Sequence, residues 1–428
     1  MAAPAQRRGG GRAVLAAWLL GLTACTGAGE QPDDGLELEL AARALREGRW
    51  EEAGERVAAV RARAPRHAAA AQWGALLMEM AWRDDEAIAV LRSAVRTAGN
   101  DAEIARCQGR LGDLLFQAGR YVESVEPLRA GAAAADAERR RAFAELAALL
   151  PFQRTATGPV LVEQPLLPGA MPEFVCAAGS LSRPFAIDTG TSMTTLSRSF
   201  ADELAVQDRR PAGSALDGAG RTLPIEIGVL PAFALGGIEF GAVPVLVIDD
   251  AAMQLRDLHG GPERVPRGVL GLDLLAACRL SIDPERGSVV LEVPRGLPAD
   301  ESVQCLRVDG RCLVPVFVDD VRMWFVLDTG ASHSSLTEAG LLRLAGGEAR
   351  AVPAFRRVRT VGGALVSVRE VQDLSLRCSM ARFVGVTLPV VARGGSAVFP
   401  VHGVFGIDLL GRCRGTLDRG RLRLQVRS

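Results

Sequence analysis

Lysine is absent from this 428-residue chain, tyrosine occurs once and histidine four times. The basic side chains are therefore arginines, a bias expected of a GC-rich genome and given no functional weight. The 50 arginines balance 50 acidic residues, so the net charge is zero and a dominant electrostatic partner such as nucleic acid is not expected. The histidines are far apart in sequence and no C-x-x-C pair occurs, so nothing indicates zinc. No metal or other cofactor is expected.

The sequence also has no apolar segment long enough to cross a membrane. Ala13–Leu22 is too short, and it follows a basic stretch, as in a signal peptide. The Leu-Thr-Ala-Cys ending at Cys25 resembles the bacterial lipobox, which implies that Cys25 is acylated and becomes the mature N-terminus. The alternative is an ordinary cleaved signal with an incidental cysteine. We predict a lipoprotein signal over 1–25, a tether over 26–35, and a lipid-anchored protein of the bacterial cell envelope that faces the periplasm or exterior.

Cysteine is also scarce, with eight residues in the chain, and the sequence leaves open which of them form disulfides. Seven of the eight cysteines remain beyond Cys25, and an odd number leaves at least one unpaired. Cys305 and Cys312 flank an Asp309-Gly310 turn and are expected to lie near each other, although connectivity cannot be read from sequence.

Residues 36–150 are predicted to be helical, because Ala, Leu, Glu and Arg dominate and apolar residues recur at helical spacing. Similar units surround Trp50, Asp85 and Tyr121, at intervals near the ~34-residue period of tetratricopeptide repeats. That resemblance implies a concave surface for a peptide or protein partner. The alternative is a helical spacer that holds the following domains away from the membrane. Residues 151–159 are predicted to be a linker.

The rest of the chain is a duplication of a strand-rich unit. One copy contains FAIDTGTSMTTLS from Phe185, and the other contains FVLDTGASHSSLT from Phe325. Each copy closes with a similar block, GVLGLDLL from Gly268 or GVFGIDLL from Gly403. The same elements in the same order predict two copies of one fold, here called half 1 (160–294) and half 2 (302–428).

The repeated D-T-G carries the chemistry. An apolar strand ends at Asp188 or Asp328, and the following glycine permits a tight turn that presents the carboxylate. One such tripeptide is a weak signal, whereas two copies in matching contexts are a strong one. Two carboxylates brought face to face share a proton, so one can act as a base while the other acts as an acid. Such a pair can activate a water against a peptide carbonyl without a covalent intermediate.

These blocks make residues 160–427 similar to two retropepsin-type aspartic protease domains in tandem. The resemblance implies two β-barrels around a pseudo-two-fold axis, with Asp188 and Asp328 as the catalytic pair. Tandem copies favour pairing within one chain, and pairing between chains is the alternative. A pepsin-like flap tyrosine is lacking, because the single tyrosine is Tyr121. The resemblance implies active-site loop support by Thr189, Gly190, Ser192, Thr329, Gly330 and Ser332, and flaps around Gly218, Gly220, Gly362 and Gly363.

Other candidates have simpler explanations. Asp273 and Asp408 also repeat, but they precede short apolar stretches and are predicted to cap short helices. A serine hydrolase using Ser192 or Ser332 is not supported, because no G-x-S-x-G block occurs. His333 follows DTGAS in the second copy, and a packing or surface role is expected for it.

The sequence therefore predicts a multidomain protein, with an α-helical repeat region followed by two all-β acid-protease barrels. Its expected function is aspartic endopeptidase, acting on a peptide or protein substrate in the envelope. The alternative is a catalytically inactive peptide-binding or assembly lipoprotein that uses the helical repeats and barrels as a scaffold.

Overall fold

The computed structural model describes most of the chain beyond the N-terminal segment. The described residues are 32–131, 137–150, 161–165, 171–216, 222–236, 238–253, 266–360, 363–391 and 396–426. The signal-like segment and Cys25 lie outside them. Within these ranges no helix is both long and apolar enough to cross a bilayer.

The N-terminal region is helical and begins earlier than predicted. Its first helix starts at Pro32, so the end of the predicted tether (26–35) is helical, because Asp33 and Asp34 supply the acidic first turn that favours a helix N-terminus. The second helix of each antiparallel pair begins at Trp50, Asp84 or Tyr121, close to the repeated sequence positions. The assignment to tetratricopeptide repeats stays a prediction. The helices are α1 (Pro32–Arg46), α2 (Trp50–Arg63), α3 (Ala68–Met80), α4 (Asp84–Thr97), α5 (Asp101–Gln117), α6 (Tyr121–Ala130) and α7 (Ala137–Ala147).

Half 1 forms a closed six-stranded barrel. The strands of half 1, in and beyond the barrel, are β1 (Leu161–Pro165), β2 (Glu173–Ala178), β3 (Leu181–Ile187), β4 (Thr195–Ser197), β5 (Gln207–Leu216), β6 (Thr222–Leu235), β7 (Ile238–Ile248), β8 (Gly268–Leu270), β9 (Arg279–Asp283) and β10 (Ser288–Glu292). Its short helices are α8 (Arg198–Glu203) and α9 (Leu272–Leu275). The barrel order is β2-β3-β8-β4-β7-β6, closed by β6 pairing with β2. Strand β5 continues the sheet beyond β6 as the outer strand of a hairpin.

Half 2 repeats this topology. Its strands are β11 (Val303–Gln304), β12 (Leu306–Val308), β13 (Arg311–Val318), β14 (Val321–Leu327), β15 (Ser335–Thr337), β16 (Ala351–Thr360), β17 (Gly363–Cys378), β18 (Ala381–Val391), β19 (Gly403–Phe405), β20 (Cys413–Asp418) and β21 (Arg421–Val426), with α10 (Glu338–Arg343), α11 (Gly347–Arg350) and α12 (Ile407–Leu410). The barrel β13-β14-β19-β15-β18-β17 closes through β17 and β13, and β16 is the outer hairpin strand. The predicted fold class is confirmed.

A third sheet joins the halves. Its order is β1-β10-β9-β20-β21-β11, so it takes strands from both copies. At its centre β9 of half 1 pairs with β20 of half 2, and the hydroxyls of Ser281 and Thr416 lie 3.0 Å apart. The two halves of the structure therefore pair within one chain.

The helical region packs against both barrels. Helices α1–α3 share a buried cluster with the outer face of half 2, which includes Trp324 and Phe399. The Trp324 indole N–H donates to the Gly48 carbonyl at 3.2 Å, and Arg307 of β12 pairs with Asp84 of α4. Helices α6 and α7 instead share a cluster with the outer face of half 1. The helical region therefore bridges the two halves rather than standing apart from them.

Candidate active site

Each Asp of the repeated D-T-G stands at the end of a buried strand. Strand β3 leads into Asp188 and pairs in parallel with β8, and the Asp188 N–H donates to the Leu270 carbonyl at 3.1 Å. Half 2 repeats the arrangement: β14 leads into Asp328, whose N–H donates to the Phe405 carbonyl at 3.1 Å. The GVLG and GVFG blocks thus provide the strands that hold the two loops.

The two loops meet across the pseudo-two-fold axis. A Cβ added to Gly190 would lie 2.6 Å from the Asp328 carboxyl carbon, and one added to Gly330 would lie 2.6 Å from an Asp188 carboxylate oxygen. Each carboxylate therefore packs against the glycine that follows the other. Both are nearly buried, with Asp188 3% and Asp328 6% exposed. Only glycine fits at these two positions.

Thr189 and Thr329 link the loops reciprocally. The Thr189 hydroxyl donates to the Leu327 carbonyl at 2.8 Å and accepts the Thr329 N–H at 3.2 Å. The Thr329 hydroxyl donates to the Ile187 carbonyl at 2.6 Å and accepts the Thr189 N–H at 3.1 Å. Four buried hydrogen bonds thus hold the two loops in one relative position.

One side-chain donor to Asp188 has no counterpart at the matching position of half 2. Asp188 accepts the Gly190 N–H at 2.8 Å and the Thr191 hydroxyl at 2.9 Å. The position that matches Thr191 in half 2 is Ala331, which has no hydroxyl to donate. A donor aimed at a carboxylate favours its ionised form. The Thr191 hydroxyl therefore makes the pair asymmetric.

Asp273 and Asp408 do not cap helices, which corrects the expectation from sequence. The N-cap of α9 is Gly271 and that of α12 is Gly406, and the aspartates lie one residue inside the first turn. Asp273 accepts both the N–H and the hydroxyl of Thr194 at 2.9 Å. Asp408 accepts both donors of Ser334 at 2.7 Å. The aspartates instead tie each closing block to the loop that follows D-T-G.

Ser192 and Ser332, the serines of the two active-site loops, contact different partners. The Ser192 carbonyl accepts the Asp273 N–H at 3.1 Å, and the Ser192 side chain packs against the turn at Gly310. Ser332 Oγ lies 2.9 Å from His333 Nδ1, a pair confined to adjacent residues. Of the flap residues predicted from sequence, Gly363 begins β17, whereas Gly218, Gly220 and Gly362 lie outside the described residues.

Sequence reasoning missed His402, the residue directly before the second closing block. The side chain is buried, and its Nδ1 accepts the Trp324 N–H at 3.0 Å. Burial, reinforced by the nearby positive charge of Arg343, lowers the His402 pKa from 6.5 to about 4. The matching residue of half 1 is Arg267, which lies over the Phe200 ring and pairs with Glu203. The difference between arginine and histidine at these matched positions was the sequence signal that could have pointed to His402.

Comparisons with known proteins give a family match and a similar solved structure. Residues 175–274 and 314–409 match the family model described as aspartyl protease, one segment in each barrel. No curated protein matches the chain. Among solved structures, a retropepsin-like aspartic protease from Rickettsia conorii is similar, with 17% identity over 33% of this chain and 96% of that chain, at a TM-score of 0.24. Each barrel thus contains one segment that matches the aspartyl protease model.

Proposed function

We propose that this protein is an aspartic endopeptidase whose one active site uses Asp188 of half 1 and Asp328 of half 2. The observation that carries the proposal is the reciprocal packing of each carboxylate against the glycine after the other. Each carboxylate therefore lies beside the loop that carries the other, and two carboxylates held near each other can share a proton. That is the condition for paired acid and base catalysis.

In this mechanism Asp188 is the base and Asp328 is the acid. The hydroxyl of Thr191, which Ala331 replaces in half 2, favours the ionised form of Asp188. Asp188 takes a proton from a water held between the carboxylates as the water attacks the peptide carbonyl. Asp328 gives its proton to the carbonyl oxygen, and the leaving nitrogen is protonated as the intermediate collapses. The threonine hydrogen bonds keep both carboxylates in place throughout.

The substrate in this proposal is an extended peptide. Two outer hairpins, β5–β6 and β16–β17, extend from the barrels as the sequence-predicted flaps would. An extended chain can take main-chain hydrogen bonds from such strands, while its side chains alternate between faces.

The test compares single variants of a form that lacks residues 1–30. The parent, Asp188→Asn and Asp328→Asn are incubated with a diverse peptide mixture from acid to neutral pH, and products are identified by mass spectrometry. We expect cleavage by the parent and loss of at least about 1,000-fold in each variant. Asp85→Asn makes the same change on an exposed helix position and should cleave like the parent. A parent that cleaves nothing, or variants equal to it, would refute the proposal.

We further propose that Cys25 is lipidated and anchors the protein in the bacterial envelope. The support is the order of basic segment, apolar segment and Leu-Thr-Ala-Cys in the sequence. Metabolic labelling with a tagged fatty acid should mark the wild-type chain and not Cys25→Ser. Equal labelling of both would exclude this site.

A further inference from the structure

A tight turn of half 2 is built against the active-site loop of half 1. Val308 pairs with Arg311, so β12 and β13 are joined by the two-residue turn Asp309-Gly310. Both turn residues have positive φ, 50° and 70°, as a type I′ hairpin turn requires. A Cβ added to Gly310 would lie 2.5 Å from the Ser192 Cβ, and its three nearest neighbours are all Ser192 atoms. Gly310 therefore lies directly against Ser192, in a space too small for a side chain.

The hairpin that carries this turn is anchored by the helical region. Leu306, Val308 and Leu313 are buried in the cluster that half 2 shares with α1–α3. The Arg307 guanidinium donates to the Asp84 carboxylate of α4 at 3.1 Å. Because side chains alternate along a strand, the cluster holds one face of β12 and the ion pair holds the other. The turn is therefore held in place against Ser192.

The Ser192 loop in turn places a donor to Asp188. Ser192 directly follows Thr191, whose hydroxyl donates to the Asp188 carboxylate at 2.9 Å. The closing block of half 1 holds the backbone of both loop residues. The Leu272 N–H donates to the Thr191 carbonyl at 2.8 Å, and the Asp273 N–H donates to the Ser192 carbonyl at 3.1 Å. The turn adds a contact to the Ser192 side chain, so a displacement of Ser192 would carry the Thr191 hydroxyl with it.

We propose that Gly310 is a positioning residue that holds the Ser192 loop, and with it the Thr191 hydroxyl, in place beside Asp188. The inference rests on the proposed function, because it concerns the ionisation of one of the two proposed catalytic carboxylates. It also gives the helical region a part in the active site, since α1–α4 anchor the hairpin that carries Gly310.

Gly310→Ala in the full chain tests the contact, with Gly385→Ala as its matched control. Gly385 also has positive φ, 63°, but an added Cβ there meets nothing within 4 Å. Both variants therefore strain the backbone, and only Gly310→Ala pushes on the Ser192 loop. Amide exchange at residues 188–194, measured by mass spectrometry, should become several-fold faster in Gly310→Ala and stay unchanged in Gly385→Ala. Equal exchange in the two variants would overturn the proposal, whether or not the protein cleaves peptides.

A second substitution at Ser192 shows whether the effect passes through this contact. Ser192→Gly removes the Cβ that the new methyl group meets, so adding Gly310→Ala to it should change loop exchange little. Ser192→Ala keeps that Cβ, and adding Gly310→Ala to it should still speed exchange. The same response in both backgrounds would assign the effect to the turn itself and refute the positioning role.

The anchor on the helical region has its own matched pair of variants. Asp84→Asn weakens the contact with Arg307 and should speed exchange at residues 188–194 less than Gly310→Ala does. Asp85→Asn changes the neighbouring residue, which is 95% exposed, and should leave the loop unchanged. If Asp84→Asn has no effect, the helical region has no part in holding the loop.

The pH dependence of cleavage tests the role beyond packing. Gly310→Ala should lower kcat/KM by about 10-fold to 100-fold, because the reacting groups are misplaced. Its acid limb should move to higher pH, since Asp188 loses a donor that favours its ionised form. In a Thr191→Val background the same change should add no further shift, and a lower rate with an unmoved profile would overturn the proposal. A parent that cleaves no peptide would instead refute the proposed function, while the exchange data would still report whether the turn holds the loop.

Discussion

The two barrels share one chain path but differ in what covers them. In half 1, helix α7 packs along β5, and Ala212 of that strand is buried in the shared cluster. In half 2, the matching strand β16 leaves Phe355 73% and Val352 38% exposed. The helical region instead covers the β12–β14 side of half 2. The two halves therefore share the same strand framework, while the helical region covers a different outer surface in each.

The contacts between the halves are the symmetric part of the molecule, and they should respond equally to matched changes. Features outside the axis, such as His402, Thr191 and the α7 contact, are found on one side only. Matched substitutions at the axis should therefore have equal effects in the two halves, whereas substitutions of the one-sided features should affect one half only.

The largest effect is expected at the glycines of the axis. Gly190→Ala and Gly330→Ala each place a methyl group against the opposite carboxylate. We expect each to lower peptide cleavage by at least about 100-fold, because the reacting groups are displaced. Gly54→Ala is the control, since an added Cβ there meets nothing within 4 Å. A large loss of cleavage in only one of the two variants would show that the two loops are not equivalent.

The crossed threonines should be the next most sensitive. Thr189→Val and Thr329→Val each leave a buried N–H and a buried carbonyl without their partner. Each should destabilise the protein by about 3 kcal/mol in urea unfolding. Thr→Ser at either position keeps the hydroxyl and should recover most of the loss. Destabilisation below about 0.5 kcal/mol in either valine variant would show that the loops are held by other contacts.

His402 should make half 2 sensitive to acid. Its folded pKa of about 4 lies below the ordinary 6.5, so between these values the unfolded chain binds a proton that the folded chain does not. Stability is therefore lost as pH falls from 6.5 towards 4, by about 3 kcal/mol in total.

The His402→Asn variant supplies an oxygen acceptor for the Trp324 N–H but cannot titrate. Its stability should fall less steeply over that pH range, measured by urea unfolding at several pH values. Arg267→Gln, the matched change in half 1, should leave the pH slope unchanged. An unaltered slope in His402→Asn would show that other groups cause the acid sensitivity.

The Thr191 hydroxyl should stabilise the ionised form of Asp188. Thr191→Val removes the donor to Asp188, so the acid limb of the kcat/KM profile should move to higher pH. Thr191→Ser should restore it. Ala331→Ser offers Asp328 a matching donor and should reduce the asymmetry. A lower rate with an unmoved profile would assign Thr191 a purely structural role.

The smallest effect is expected at the ion pair between α7 and β5. Glu145 and Arg210 lie 2.9 Å apart, with side chains 61% and 25% exposed. Glu145→Gln should cost about 0.5 kcal/mol, since solvent screens such pairs. Amide exchange in β5 should rise slightly. Glu338→Gln, which breaks a pair with Arg369 in half 2, should leave β5 unchanged.

Much of the fold could be predicted because its signals are local. The helical spacing before residue 150 and the alternating strands after it depend on neighbours in the chain. The repeated D-T-G predicted two equivalent loops, and the structure brings Asp188 and Asp328 together. The start of α1 at Pro32 was missed, because helix ends depend on a few capping residues.

Contacts between distant segments could not be predicted. Asp273 was expected to cap a helix, yet it accepts hydrogen bonds from Thr194, which lies in the loop after Asp188. Nothing in the sequence placed the Asp309-Gly310 turn on Ser192, or buried His402 without charge. These partners are chosen by the three-dimensional arrangement of elements that form independently.

The sequence alone therefore determined the element types, the duplication and the residues able to form a carboxylate pair, since each follows from short-range spacing and backbone geometry. Only the tertiary structure decided that both halves meet within one chain, that Thr191 distinguishes the two aspartates, and that α7 covers one hairpin. The physical reason is that burial and charge are properties of a residue's neighbours in space, which its neighbours in sequence do not specify.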